Sequence, residues 1–164
     1  MRYVLAAVIG VSTLTGCSTF VDEGPTDQQI AEASGVTVAE AGSIVTTNFH
    51  RVWPERTDVA VSNVALGAGC RTDPDTLRAV GPPWTPHHSR TVIDPSPELI
   101  DQLLANLEAL TASGFTLVPD PVPGDDPVNR TYEDARGFSV GAQRHATSRE
   151  VRFSITASSP CARE

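Results

Sequence analysis

Residues 96–114 read SPELIDQLLANLEALTASG. The Ser96 hydroxyl is suited to accept a free N–H of a first helical turn, and Pro97 suits the first helical position, where its missing N–H is not needed. Glu98 sets a negative charge at the positive end of the helix. Leu99, Ile100, Leu103, Leu104, Leu107 and Leu110 recur at helical spacing, while Asp101, Gln102, Asn106 and Glu108 fall on the opposite face. Gly114 stands where a left-handed C-terminal cap belongs. The stretch predicts one amphipathic helix over about 97–113. Residues 151–158 change period: Val151, Phe153, Ile155 and Ala157 alternate with Arg152, Ser154, Thr156 and Ser158. Period two with one apolar row means one buried and one wet face, as in an antiparallel sheet. The two readings together predict an α+β fold, an antiparallel sheet of about four strands packed by one main helix.

Working outward, Val38, Ala41, Ile44, Val45, Phe49 and Val52 suit a helical face that Pro54 ends, and Thr26–Ala33 suits a short helical turn. Asp58–Leu66 reads as a strand whose apolar parity slips between Val61 and Val64, as a bulge or two-sided burial requires. Residues 71–97 hold six of the thirteen prolines, which rules out a long helix and leaves only Arg90–Ile93 as a brief strand. Phe115–Val118 is a short strand stopped by Pro119. Residues 119–130 form a proline-rich acidic loop, and Phe138, Val140 and Ala142 alternate as a strand. No internal repeat is evident.

Residues 1–16 differ from the rest. Arg2 is the only charge before Asp22, and Tyr3–Thr15 is mostly apolar. That run is too short to span a bilayer, which takes about 20 apolar residues. It ends in Leu14-Thr15-Gly16-Cys17, which resembles the bacterial lipobox. The resemblance implies a signal peptide over 1–16, cleaved before Cys17. It also implies a thioether-linked diacylglycerol on the Cys17 thiol, with palmitate among the acyl chains. The membrane is then a partner through the acyl anchor, at the outer face of the cytoplasmic membrane in the cell envelope. Residues 17–36 become the membrane tether and 37–164 a single domain. Two acyl chains suffice for an anchor where one holds only marginally.

Past Cys17 the remaining 11 arginines stand against 20 acidic residues, and the chain has no lysine. This acidity argues against nucleic acid, which needs a basic footprint, and against adhesion to anionic headgroups, so the anchor supplies the membrane affinity. Lipidation occupies one of three cysteines and leaves Cys70 and Cys161 as a pair in an oxidising compartment, which predicts a disulfide between them. A redox-active pair finds no C-x-x-C to support it.

The order strand, cysteine, helix ending near Gly114-Phe115, strands, and terminal Ser158-Ser159-Pro160-Cys161 is similar to the mycobacterial LppA-like small envelope lipoproteins, over roughly residues 58–164. The abundance of Ala, Gly, Pro, Val and Arg likewise resembles a GC-rich actinobacterial chain. The resemblance implies a compact α+β domain at the cell surface and carries no catalytic residues with it.

His87-His88 in the proline-rich stretch, with His50 or His145, is the pair to weigh for Zn²⁺ or Cu²⁺. Adjacent side chains rarely face one metal, and no H-x-E or H-x-x-x-H pattern accompanies them, so no metal and no cofactor is expected. Neither G-x-S-x-G nor S-x-x-K is present, which leaves no nucleophile motif for a hydrolase. Asp125-Asp126 and Glu133-Asp134 lack calcium-loop spacing and read as a solvated acidic loop. Trp84, amid prolines, is either a binding anchor or a plug that packs its loop onto the sheet. The expectation is a non-enzymatic binding or adaptor module of unknown envelope protein or lipid partner. Its candidate binding surface is the loop bearing Trp84, His87 and His88, together with residues 119–136. The alternatives are a carrier of an apolar envelope lipid between helix and sheet, which needs a cavity of several hundred Å³, and a purely structural envelope protein.

Overall fold

The computed structural model describes residues 21–33, 35–53, 63–119 and 126–164. The signal segment 1–16, Cys17 and the first tether residues lie outside the described residues, as does most of the predicted strand Asp58–Leu66. The described end of that strand contributes one bridge, Ala65 with His87.

Two helices open the described chain. α1 (Asp27–Glu32) and α2 (Val38–Val52) each start in a capping box: Thr26 with Gln29, and Thr37 with Glu40. In α2 the Thr37 hydroxyl accepts from the Glu40 N–H at 3.3 Å, and the Glu40 carboxylate accepts from the Thr37 N–H at 2.9 Å. The pair satisfies two N–H groups that a helix start otherwise leaves open. α2 buries Ala41, Val45, Phe49 and Val52, as its spacing predicts.

β1 (Gly69–Thr72) and β2 (Ala79–Trp84) form a two-stranded sheet. Its register passes from Gly69↔Trp84 to Arg71↔Val80, so the three residues Gly81–Pro83 stand opposite the single residue Cys70. Pro82 and Pro83 sit in this bulge, where the ladder asks for no N–H. Both the Gly81–Pro82 and Pro82–Pro83 peptides are cis. A Cβ at Gly69 would overlap the Val80 carbonyl, so this close pairing requires glycine there.

β3 (His87–Ile93) leads into α3 (Pro97–Glu108), which Ser96 caps by accepting from the Leu99 N–H at 3.3 Å. The predicted helix to 113 finishes as a 3-10 helix over Ala109–Ser113, closed by Gly114 at φ 86°. β4 (Thr116–Leu117), β5 (Arg130–Glu133), β6 (Ser139–Ala146) and β7 (Val151–Ser158) complete an antiparallel sheet in the order β3-β7-β6-β5-β4. The expectation of about four strands is therefore corrected to a sheet of five beside a second sheet of two. Arg130–Glu133, read as the end of a loop and the residues after it, is a strand with one large buried side chain, Tyr132.

α2 and α3 cover one face of the five-stranded sheet, while α1 lies against β2. Phe49, Leu103, Leu107, Phe138, Phe153 and Ile155 fill the space between α2, α3 and that sheet. The C-terminal strip ties the parts together: Trp84 exchanges both backbone hydrogen bonds with Ala162, and Arg163 does the same with Val36 and Val38. The predicted bond joins Cys70 of β1 to Cys161, with Cα atoms 6.0 Å apart. Among the described residues no helix is long and apolar enough to cross a membrane.

Candidate functional site

The alternation that sends Tyr132, Val140, Ala142, Phe153, Ile155 and Ala157 into the core sends their neighbours to the far face of the sheet. There cross-strand pairing lines up Ser89, Thr156, Gly141 and Thr131 in one row, and His87, Ser158, Ser139 and Glu133 in the next. The Ser89 and Thr156 hydroxyls hydrogen-bond at 2.8 Å. At Gly141 a Cβ would come within 2.8 Å of the Thr131 hydroxyl, so its absence lets β5 and β6 close up. The result is a floor of small hydroxylic side chains.

Val118, Pro119, Asp126, Pro127 and Asn129 border the β5–β7 part of this floor, forming an open cleft of about 670 Å³. The walls are held by specific bonds. The Val118 N–H donates to the Thr131 carbonyl at 2.8 Å. Arg144 donates to both Asp126 carboxylate oxygens, at 2.7 and 2.9 Å, and its N–H donates to the Asn129 side chain at 2.6 Å. The Arg144 guanidinium, followed by the Val128 N–H, holds the Asp126 carboxyl below its ordinary range. Among the described residues the cleft thus offers hydroxyls, the Gln143 and Asn129 amides, the Arg130 guanidinium, which donates to the Pro127 carbonyl, and Asp126, whose carboxylate is bound by Arg144. That chemistry suits hydrogen bonding to a polar group.

A second recess of about 340 Å³ is lined by Ser43, Thr47, Asn48, Arg51, Asp134 and Arg136, among others. Asp134 takes both the guanidinium of Arg136, at 3.0 and 2.8 Å, and the N–H groups of Arg136 and Phe138. Of the four acids considered for calcium, Asp126 and Asp134 are committed to arginines, Glu133 is an exposed residue of β5, and Asp125 lies outside the described residues. No group of three or more His, Cys, Asp or Glu able to hold a metal occurs among the described residues.

Trp84, His87 and His88 occupy strands, not a loop: Trp84 closes β2, and the two histidines open β3. The Trp84 indole packs over Gly81 and donates to the Glu164 carboxylate at 2.9 Å. Strand parity turns His87 to the far face, beside Ser158, and His88 to the core face. His88 meets the Phe49 ring edge-on at 4.5 Å. Burial is the main cause holding its imidazole below the ordinary value. Phe49 in turn stacks on Trp53 at 5.7 Å, and the Arg90 guanidinium lies 4.6 Å from the centre of the Trp53 ring. The first recess lies on the far face of the sheet, away from the apolar layer between helices and sheet, while the second borders that layer at Ile44 and Phe115.

The hydroxyl rows on β6 and β7 escaped the sequence reading as a site. They are the wet half of an alternation, and their signal is the uniform smallness of the polar partners. No family model, curated protein or solved structure matches this chain.

Proposed function

We propose that this chain is a small envelope lipoprotein of the LppA-like kind, anchored by acyl chains on Cys17 to the outer face of the cytoplasmic membrane. We read it as a non-enzymatic binding module that takes a polar, hydroxyl- or amide-bearing ligand in the cleft above β5, β6 and β7. One observation carries this reading. The Cys70–Cys161 bond uses two of the three cysteines and leaves over the one that stands in Leu14-Thr15-Gly16-Cys17. Disulfides persist chiefly in oxidising compartments, so the pair supports export, and the leftover thiol is the one a lipobox needs.

Intact mass of protein extracted from the membranes of producing cells tests this. The expected species begins at Cys17, carries diacylglycerol and further acyl mass, and gains two hydrogens on reduction. Cys17→Ser is expected to abolish the acyl mass and release the protein from the membrane fraction. A chain that keeps residues 1–16, or a Cys17 without lipid, would overturn the reading.

A further inference from the structure

The described chain enters the fold beside the β1–β2 turn. The Glu23 carbonyl accepts from the Thr72 N–H at 2.9 Å, and its carboxylate pairs with Arg71 at 2.9 Å. Gly24, at φ 75°, lies so close to β1 that a Cβ would overlap the Cys70 carbonyl. Glu23 against Thr72 and Gly24 against Cys70 means that this segment runs antiparallel to β1. Followed backward, it leads toward Asp73, where the turn begins.

That turn is built rigidly. The Asp73 carboxylate accepts from the Asp75 and Thr76 N–H groups and from the Thr76 hydroxyl, at 3.1, 2.7 and 2.9 Å, and the Asp73 carbonyl accepts from the Leu77 N–H at 2.8 Å. This framework holds Leu77 at φ 55°, a conformation that disfavours any residue with a Cβ, and leaves it 68% exposed. Val80 is 39% and Val21 36% exposed. An unfavourable backbone, held by the Asp73 hydrogen bonds, and an unburied apolar side chain thus coincide at one residue.

We propose that the β1–β2 turn is the membrane-facing end of the domain, with Leu77 set into the headgroup–acyl boundary and Val80 and Val21 behind it. The inference rests on the acylation of Cys17 proposed above. Three residues lie between Cys17 and Val21, and the four steps reach at most about 14 Å when fully extended. The clamped segment therefore keeps the turn at the bilayer surface and gives the domain no long tether. Asp22, Asp73 and Asp75 outnumber Arg78 here, since Glu23 is paired with Arg71. The turn therefore has no charge attraction for anionic lipid, and its contact is apolar and depends on the anchor.

The test uses the full-length acylated protein, its lipid verified by mass, in phosphatidylcholine vesicles. An environment-sensitive fluorophore is placed at Leu77→Cys, Val80→Cys or Ile93→Cys, the last an exposed site on β3. The Leu77 probe is expected to shift to shorter wavelength and to be quenched by lipid-borne quenchers at a depth of about 5–10 Å. The Val80 probe should follow weakly and the Ile93 probe not at all. Unacylated Cys17→Ser protein carrying the Leu77 probe should show neither change. An acylated protein whose Leu77 probe behaves like the Ile93 probe overturns the orientation alone. A mass without acyl chains removes the anchor, and the orientation with it.

Discussion

His88 stands edge-on to Phe49, with Arg90 two residues along the same strand face lying over Trp53. Two polar side chains thereby occupy core-facing positions by using aromatic rings as their partners. Burial, the largest cause, together with the nearby His50, His87 and Arg90 charges, holds the His88 imidazole below the ordinary 6.5, while a hydrogen bond with the Asn63 backbone acts the other way. The sign follows from linkage. The unfolded chain takes up a proton near 6.5 that the folded chain refuses, so this contribution is complete above 6.5. It is lost as the pH falls through that value toward the lower folded one. Urea midpoints of the wild type are expected to drop from about pH 7.5 to about pH 5.5, and those of His88→Phe to drop less. Equal slopes in the two proteins would show that His88 is not the group responsible. The carboxyl of Asp126 is also held low, but its stabilisation is present above its ordinary 3.8 and lost only as the pH falls through and below it, outside this window.

At the scale of the element, β7 and α3 differ in what sustains them. β7 is flanked by β3 and β6, and its Phe153 side chain is fully buried. α3 begins at one hydroxyl cap, Ser96, in an exposed setting. Phe153→Ala is expected to cost about 3–5 kcal/mol in urea unfolding and Ser96→Ala about 1 kcal/mol. Similar costs for the two would mean that the core face of β7 is not packed as described. The same contrast explains which elements the sequence discloses. α2, α3 and β7 are long enough for their periods to repeat, and their apolar rows are unbroken. β3 shows only in part, as Arg90–Ile93, because His88 and Arg90 stand in its core-facing row and leave Val92 alone to signal it. β2 is hidden by Pro82 and Pro83, which are tolerated only because a bulge releases them from the ladder. β5 is four residues long with a single large core side chain, too little for a period to show. The capping boxes of α1 and α2, Thr26 with Gln29 and Thr37 with Glu40, were legible signals that the spacing of apolar residues alone does not use.

Across the whole molecule, the candidate cleft is less legible than the fold, because its floor is assembled from three strands. Gly141 lies next to Thr156 and Thr131 only through register, and the wall bond from Arg144 to Asp126 joins residues 18 apart. The disulfide was legible by counting, and it carries a prediction about how the two sheets depend on each other. The small sheet meets the body chiefly through the C-terminal strip: the Trp84–Ala162 bridge, the Trp84 to Glu164 hydrogen bond, and the Cys70–Cys161 bond itself. The cysteines are 91 residues apart, and a loop of that length corresponds to about 4–5 kcal/mol of lost unfolded-state entropy on the chain-entropy model. That is comparable with the whole stability of a small domain, about 5–15 kcal/mol. Cys70→Ala with Cys161→Ala is therefore expected to leave a folded but marginal protein. The loss should also be uneven. Amide exchange at Trp84 and Ala162 should rise toward that of free chain first, while Val140, Ala142 and Ile155, inside the five-stranded sheet, keep protection up to the new global limit. Uniform loss of protection at every site would mean that the two sheets unfold as one unit. The bond would then act only on the unfolded chain, and not also as the clasp that holds the β1–β2 hairpin to the body.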